Sequence, residues 1–454
     1  AEPEAGLSSL TLGSARPSSM PPRRSMYVRT NVFSLIVLKY DHMTGIEAQH
    51  ARHVRCQSQA AADCLGSRGE AGGGGGGLGC PYRVLALGDS GRFDKRDRRD
   101  PGVGSLTDQT RGSMELSEPQ RAMIEQARTI VASIVPPLLE RLPPGAKLGA
   151  PEWRTIYSAL APLGYLGSTI GRELGGAGLS YVDYGLLLEE LATGPLFLGE
   201  IVPPRTINYL GSAEQKARRI PGLLSGQLVS TAAITEPQAG SDLRNLQCTA
   251  RKVAGGFKVT GRKKWIKLGG VSDLITLLVS AGKDASGKPL TSRLVLERER
   301  SPWTAIELET VGIEAISFAE LVFEDVFVPD ENLLGTPGQG AEQFNRGIEA
   351  SRAFIGIQAV GLARRGLDLA VAYARDRTAF GRPLARFQAI QTSLADAATK
   401  LAAARALCLS ALAQLDGGSR APGAVAMAKL FATETAVEVC HLAMDSMGAT
   451  GLSR

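Results

Sequence analysis

Ala233-Ile234-Thr235-Glu236-Pro237-Gln238-Ala239-Gly240-Ser241-Asp242-Leu243 is the stretch on which the reading of this chain turns. Small and hydroxyl-bearing residues surround a fixed proline and lead into a Gly-Ser turn. Such a segment leaves regular structure and presents backbone amides and two hydroxyls to something planar or anionic. It also divides the chain. Before it the apolar residues recur at helical spacing, and after it they fall into short β-type runs.

Upstream, Ser117 is placed to cap a helix, with Pro119 in the first turn and Gln120 three residues on, the pattern of a capping box. Met123, Ile124, Ala127, Ile130, Val131 and Ile134 continue that helix, and Pro136-Pro137 should end or kink it. Further helices are expected over Glu152 to Leu160 and Tyr181 to Ala192, with a glycine-rich turn from Gly171 to Gly178 between them. Downstream, strands are expected at Phe257 to Thr260, Leu274 to Ser280, Arg293 to Leu296 and Leu321 to Val328. Helices return from Gly340. One long apolar stripe runs from Phe387 through Leu394, Leu401 and Cys408 to Leu412 and stops at Gly417-Gly418; Pro422 opens another helix. The expectation is an α+β protein. It has an N-terminal helical domain over 114–228, a central β domain (a small sandwich or barrel) over 229–339, and an incomplete C-terminal helical bundle over 340–454.

Residues 1–113 read differently. They hold a six-glycine run from Gly72 to Gly77 and lack hydrophobic periodicity, as expected of a disordered or non-native leader, with Met114 as an alternative start. The chain of 454 residues carries a net charge of +6, and the leader, with 15 Lys/Arg and 11 Asp/Glu, accounts for +4 of it. The remainder is nearly neutral and shows no basic stripe, which argues against a nucleic-acid partner. Apolar runs fall far short of the ~18 residues of a membrane span. Of the four histidines only His441 lies outside the leader, so histidine triads and multi-histidine metal sites are excluded for the rest, and no metal is expected. The six cysteines form no CxxC pair, which fits a reducing compartment.

Four further motifs follow the loop in order: Gly261-Arg262-Lys263-Lys264-Trp265-Ile266; Phe323-Glu324-Asp325-Val326-Phe327-Val328-Pro329; Arg377-Thr378-Ala379-Phe380-Gly381-Arg382-Pro383-Leu384; and Phe387-Gln388-Ala389-Ile390-Gln391. Together with Leu163-Gly164-Tyr165-Leu166-Gly167 and Glu189-Glu190-Leu191 upstream, they make residues 114–454 resemble the acyl-CoA dehydrogenase family of flavoproteins. The resemblance implies FAD and an acyl-coenzyme A substrate, within fatty acid and lipid metabolism. A carboxylate removes the proton from the α carbon while hydride leaves the β carbon for the flavin. It also implies an electron-transfer flavoprotein or similar acceptor, and a homodimer or homotetramer. The location would be cytoplasmic in a bacterium or the mitochondrial matrix in a eukaryote.

Residue by residue, the resemblance places Ile234, Thr235 and the adjoining loop with Gly240 on the flavin ring. It places Ser241 at the FAD pyrophosphate and near the thioester, and Trp265 and Ile266 against the flavin. Arg377 would reach the FAD of a neighbouring subunit, with Phe380 and Gln388 nearby, and Arg352 lies on the acyl-CoA side. Plain structural alternatives stand beside these roles: Trp265 as a core aromatic, Thr235 and Ser241 as turn caps, Arg377 as a helix-end charge. His441, Cys248, Cys408 and Cys440 read as inert.

Two positions depart from the family. Lys267 stands where a hydroxyl residue usually bonds the flavin. A lysine there can donate the same bond, alter flavin reactivity, or point to solvent and leave the bond to its amide. The usual glutamate base belongs to a Tyr-Glu-Gly segment that should follow the Gly448-Ala449-Thr450-Gly451 turn, so the chain is expected to be a C-terminal truncation with no identified catalytic residue. Ser351 occupies an alternative base position used by some relatives, and serine is a poor base without a partner. Glu349, ~200° round the helix from Ser351, reads as an exposed or CoA-side carboxylate. The alternatives to an active dehydrogenase are a catalytically silent subunit of a heteromeric enzyme and a flavin oxidase or monooxygenase on the same fold.

Overall fold

A computed structural model describes residues 116–452; the leader and Met114 lie outside them. The first helix, α1 (Glu118–Glu140), starts as its sequence dictates. The Ser117 hydroxyl accepts the Gln120 N–H at 3.4 Å, and the Gln120 side chain accepts the Ser117 N–H at 2.9 Å. Its buried face is Ile124, Ala127, Val131 and Val135. Pro136-Pro137 does not end the helix, which runs on to Glu140. The two prolines each remove one backbone bond, and the helix continues because Leu138 and Leu139 extend its apolar face against the core.

Helices α2 (Ala150–Leu160) and α3 (Tyr181–Leu191) follow. Two more were not foreseen, α4 (Val202–Leu210) and α5 (Ala213–Leu224). The double proline Pro203-Pro204 sits in the first turn of α4, where missing N–H groups cost nothing.

The chain then forms one eight-stranded sheet. Its strands are β1 (Ser230–Ala233), β2 (Thr249–Val253), β3 (Gly256–Lys267), β4 (Leu274–Lys283), β5 (Pro289–Glu297), β6 (Thr304–Glu307), β7 (Phe318–Pro329) and β8 (Leu333–Leu334). The order is β6-β7-β3-β2-β4-β5-β8, with β1 parallel to β4 off this path. Side chains alternate across β5. Leu294 and Leu296 enter the core of the β domain with Ile275, Leu277 and Val279, whereas Val295 packs with Ile207 of α4 and with Ile220 and Leu223 of α5. Arg293 shares the helix-facing side with Val295.

Three long helices close the fold: α6 (Gly340–Asp376), α7 (Gln388–Asp416) and α8 (Pro422–Met447), with a hairpin of β9 (Thr378–Ala379) and β10 (Arg382–Pro383) between the first two. They share one hydrophobic core with the N-terminal helices, where the Tyr184 and Phe354 rings meet edge to face at 5.0 Å. Buried charges cross the same interface. Glu189 is bonded by Arg405 at 2.9 Å and Arg364 at 3.2 Å, and Glu190 by Arg364 at 2.7 Å and Arg128 at 2.9 Å. Helices α1, α3, α6 and α7 are thereby tied together. Among the described residues no helix is long and apolar enough to cross a membrane, and no group of three His, Cys, Asp or Glu could hold a metal.

The contact of α6 with α3 has almost no spare room. A Cβ at Gly361 would lie 2.0 Å from the Glu189 carbonyl oxygen, whereas at Gly366 the nearest atom is 3.7 Å away. Gly361→Ala should therefore destabilise the chain by about 1–3 kcal/mol through overpacking. Gly366→Ala should be neutral or slightly stabilising, since alanine is the better helix former. Thermal melting of the two variants checks the contrast.

Candidate active site

The loop after β1 is held from beneath by a buried ion pair. Lys263 on β3 and Glu236 in the loop are 0% and 1% exposed, with Nζ 2.7 Å from Oε1. Glu236 also accepts the backbone N–H groups of Gln247 at 2.6 Å and Cys248 at 3.1 Å and the side-chain amide of Gln238 at 2.7 Å. Lys263 donates a second bond to the Ile234 carbonyl at 2.8 Å, and Lys264 N–H donates to the Thr235 carbonyl at 2.9 Å. In a trans peptide the C=O and the following N–H point in opposite directions. With the Ile234 carbonyl turned down onto Lys263, the Thr235 N–H is aimed away from it. Ile234 and Thr235 are half-buried, and Gly240 and Ser241 are exposed.

The end of β3 forms the neighbouring edge. Pairing with β7 slips by one residue between Lys263 and Ile266, a β-bulge. Trp265 sits in it with φ +63°, in the left-handed region that a bulky residue rarely adopts, and Leu268 follows at φ +61°. The Trp265 ring is half-buried with the Lys264 ammonium 4.9 Å from its centroid, so it is displayed by the bulge and not packed as a core aromatic. The Ile266 side chain turns into the β-domain core, which leaves its backbone for the edge. These are the features a flat ring system needs: an amide edge, a displayed aromatic face and a nearby cation. The residues fit a flavin.

Lys267 does not point to solvent. Burial pushes its ammonium down to about 8, against the pull of the Glu200 carboxylate. Glu200, 4% exposed at its side chain, is the centre of a second group of charges. Arg205 on α4 gives it both Nε at 3.0 Å and Nη2 at 2.7 Å. Nη2 also donates to the Ser351 hydroxyl at 2.6 Å, and Nη1 to the Gly347 carbonyl at 2.7 Å. Ser351 is thus an acceptor from a guanidinium, an arrangement that favours positioning over proton abstraction. Arg293 lies close enough for its charge and that of Arg205 to act on each other. Tyr165 and Tyr184 wall the group, with hydroxyls bonded to Gly199 and Tyr165 carbonyls at 2.8 and 3.0 Å. Gln358, two turns beyond Ser351, is buried with neither amide atom bonded.

Sequence reasoning singled out Lys267 and Ser351 here but missed Glu200, Arg205 and Arg293. One signal was available: Arg293 is a lone charge inside the apolar run of β5. Arg205 lies on α4, a short helix that the sequence reading did not single out.

The remaining candidates lie in other places. Ser241 lines a cleft of about 460 Å³ with Asp242, Leu243, Arg244, Thr291 and Asn345. Glu349 is buried and occupied, bonded by Arg420 Nε at 2.6 Å and by the Ala421 N–H at 2.7 Å, so it joins α6 to the start of α8. It faces away from Ser351, as the helical angle required. Arg352 is half-buried on the side of α6 toward Lys429, whose ammonium is lowered to about 8 by burial, opposed by Glu434 and helped by Arg352. Arg377, Phe380 and Gln388 form an exposed group at the β9–β10 hairpin and the start of α7, with Phe380 95% exposed and its ring edge-on to Phe387 at 6.3 Å.

Comparison with known proteins gives the same layout. Family models for the acyl-CoA dehydrogenase N-terminal, middle and C-terminal domains match residues 117–227, 231–326 and 338–454. The chain is 35% identical over 305 residues to benzylmalonyl-CoA dehydrogenase of Aromatoleum aromaticum, covering 66% of this chain and 80% of the relative. It is 31% identical over 345 residues to the mitochondrial short-chain specific acyl-CoA dehydrogenase of Bos taurus, covering 75% and 83%. The solved acyl-CoA dehydrogenase of Geobacillus kaustophilus superposes with a TM-score of 0.70 at 29% identity, covering 75% of this chain and 91% of that one.

Two electrostatic consequences can be measured. Lys263→Met leaves Glu236 buried without its cation and should cost about 3–5 kcal/mol of stability, read as a lowered denaturation midpoint, with Glu236→Gln in the same chain restoring part of it. Lys267 acts in the opposite sense. In the folded chain it releases its proton near pH 8 instead of the ordinary 10.5. Between those values the unfolded chain binds more protons, so this group makes stability rise with pH. Lys267→Met should be more stable than the parent at pH 7, and the gap should close as pH rises through that window; a pH series of denaturant unfolding checks it.

Proposed function

This chain belongs to the acyl-CoA dehydrogenase family, FAD-dependent oxidoreductases acting on a CH–CH bond of an acyl-CoA, and from that premise we propose that it oxidises the α,β bond of an acyl-coenzyme A thioester. The proton leaves the α carbon for a carboxylate, which the resemblance places in a Tyr-Glu-Gly segment following the Gly448–Gly451 turn. Bound FAD supplies the acceptor for the hydride that leaves the β carbon. The observation that carries this reading is the edge formed by the pinned loop and the strained bulge.

The Thr235 N–H, turned outward by the bond from Lys263 to Ile234, meets the ring edge. Trp265 covers one face, and Lys267 donates where the family has a hydroxyl. Ser241, at the rim of its cleft, holds the pyrophosphate end and the thioester side. Arg352 serves the coenzyme A side, and Ser351 is a positioning residue. Arg377, Phe380 and Gln388 are exposed in the single chain because they complete the FAD site of a second copy. Exposed Met427, Leu430, Phe431 and Val437 on α8 supply apolar surface for a homodimer or homotetramer. The electrons pass to an electron-transfer flavoprotein or a similar acceptor.

The test is anaerobic. Chain carrying the Tyr-Glu-Gly segment and reconstituted with FAD is titrated with acyl-CoA thioesters, and the oxidised flavin band should bleach and return only slowly on admission of air. Fast return would instead identify an oxidase. Flavin that binds but is bleached by no thioester, in chain carrying the Tyr-Glu-Gly segment, would leave a silent subunit as the answer.

A further inference from the structure

Burying a charge without a partner is among the costliest arrangements in a protein. Arg293 is such a charge. It is 3% exposed, and its Nε has no hydrogen-bond partner. Its Nη2 reaches the Thr276 hydroxyl at 3.5 Å, the outer limit of a hydrogen bond. The Phe344 ring of α6 lies 5.7 Å from the guanidinium carbon, a contact of modest worth. No carboxylate among the described residues pairs with it. Burial, and then the charge of Arg205, lower its pKa only to about 10, so it stays charged at neutral pH.

Its position matters as much as its isolation. Arg293 faces the helices, where β5, α4 and the first turns of α6 meet. Arg205 converges on the same region and ends on Ser351. Glu200 is the carboxylate there and is already bonded twice by Arg205. Among the described residues, the group sets the Arg293 and Arg205 guanidiniums against the one carboxylate of Glu200, behind a wall of buried tyrosines. The imbalance sits in a low-dielectric space, where a complementary anion gains most. A guanidinium fork matches a carboxylate in both shape and charge.

Resting on the acyl-CoA reading above, we propose that the acyl group accepted here bears a carboxylate remote from the thioester, and that Arg293 takes it, with Arg205 alongside. The substrate class is the mono-thioester of a dicarboxylic acid. Arg293 is a specificity-determining residue and has no part in the proton or hydride transfer.

The experiment uses the full chain reconstituted with FAD. Binding is read from the perturbation of the flavin spectrum by matched pairs of coenzyme A thioesters over a series of lengths, one member ending in carboxylate and the other in methyl. The carboxylate member should bind at least about tenfold tighter at one length or more. Arg293→Met should abolish that preference, and Arg293→Lys should keep part of it. Because Arg293→Met removes an uncompensated charge, its melting temperature without ligand should rise. Equal or better binding of the methyl member at every length, a preference that survives Arg293→Met, or a fall in that melting temperature would each overturn the inference. If the methyl thioesters alone bind and bleach the flavin, the dehydrogenase reading stands without it. If no thioester of either kind binds, both fall.

Discussion

The site depends first on the buried pair of Lys263 and Glu236. Desolvating two charges is expensive, and their attraction offsets the cost only when the remaining bonding capacity is also filled. Here it is filled. Glu236 takes two backbone amides and the Gln238 amide besides Lys263, and Lys263 reaches the Ile234 carbonyl. Burial pulls the lysine pKa down while the nearby Cys248 and Glu236 raise it. The geometric result is that a loop with little apolar content is fixed to the strand that carries Trp265 and Lys267. A hydrophobic pair of equal volume could hold the two together, but it could not orient the Ile234 and Glu236 peptides.

A second buried network sets the other half of the site. Glu189 and Glu190 bring four helices to one place through Arg128, Arg364 and Arg405. Helix α6 is held against α3 so closely that Gly361 has no room for a side chain. Ser351 lies ten residues earlier on the same helix, so its distance from Arg205 follows from this contact. The two networks are independent, one inside the β domain and one between helices. The cluster of Lys267, Glu200, Arg205 and Ser351 forms where the bodies they organise meet.

Much of this was legible in the sequence, for identifiable reasons. The capping box of α1, the stripe of α7 and the strands around β4 and β7 are local signals, and they hold because burial reinforces them. The loop from Ile234 to Leu243 was legible because its composition excludes helix and strand. Pro136-Pro137 reads as ending or kinking α1, yet the helix runs on to Glu140. A proline removes a backbone bond but does not by itself stop a helix whose apolar face is still being buried, as it is at Leu138 and Leu139. Glu349 reads as an exposed or CoA-side carboxylate but is buried, because the partners that hold it, Arg420 and Ala421, come from some seventy residues away. Arg205 and Arg293 are polar residues whose meaning is purely tertiary. Their spacing in the chain carries no pattern, since each belongs to a different element and they converge only after the sheet and helices have packed.

The buried cations divide into two kinds, and the division carries chemical meaning. Lys263, Arg405 and Arg364 have carboxylates in direct contact, and they serve the fold. Arg293 is close to the candidate site, is lowered by burial to about 10, and has no carboxylate among the described residues in contact to offset that cost. A fold that can place Glu236 against Lys263 and Glu189 against Arg405 has the means to neutralise such charges. Where it leaves Arg293 uncompensated, stability is given up locally in exchange for a field directed at whatever binds beside it. Arg293 directs that field to the helix-facing side of β5, where the charge of Arg205 adds to it. A ligand held there must carry negative charge at the end it presents to the guanidinium.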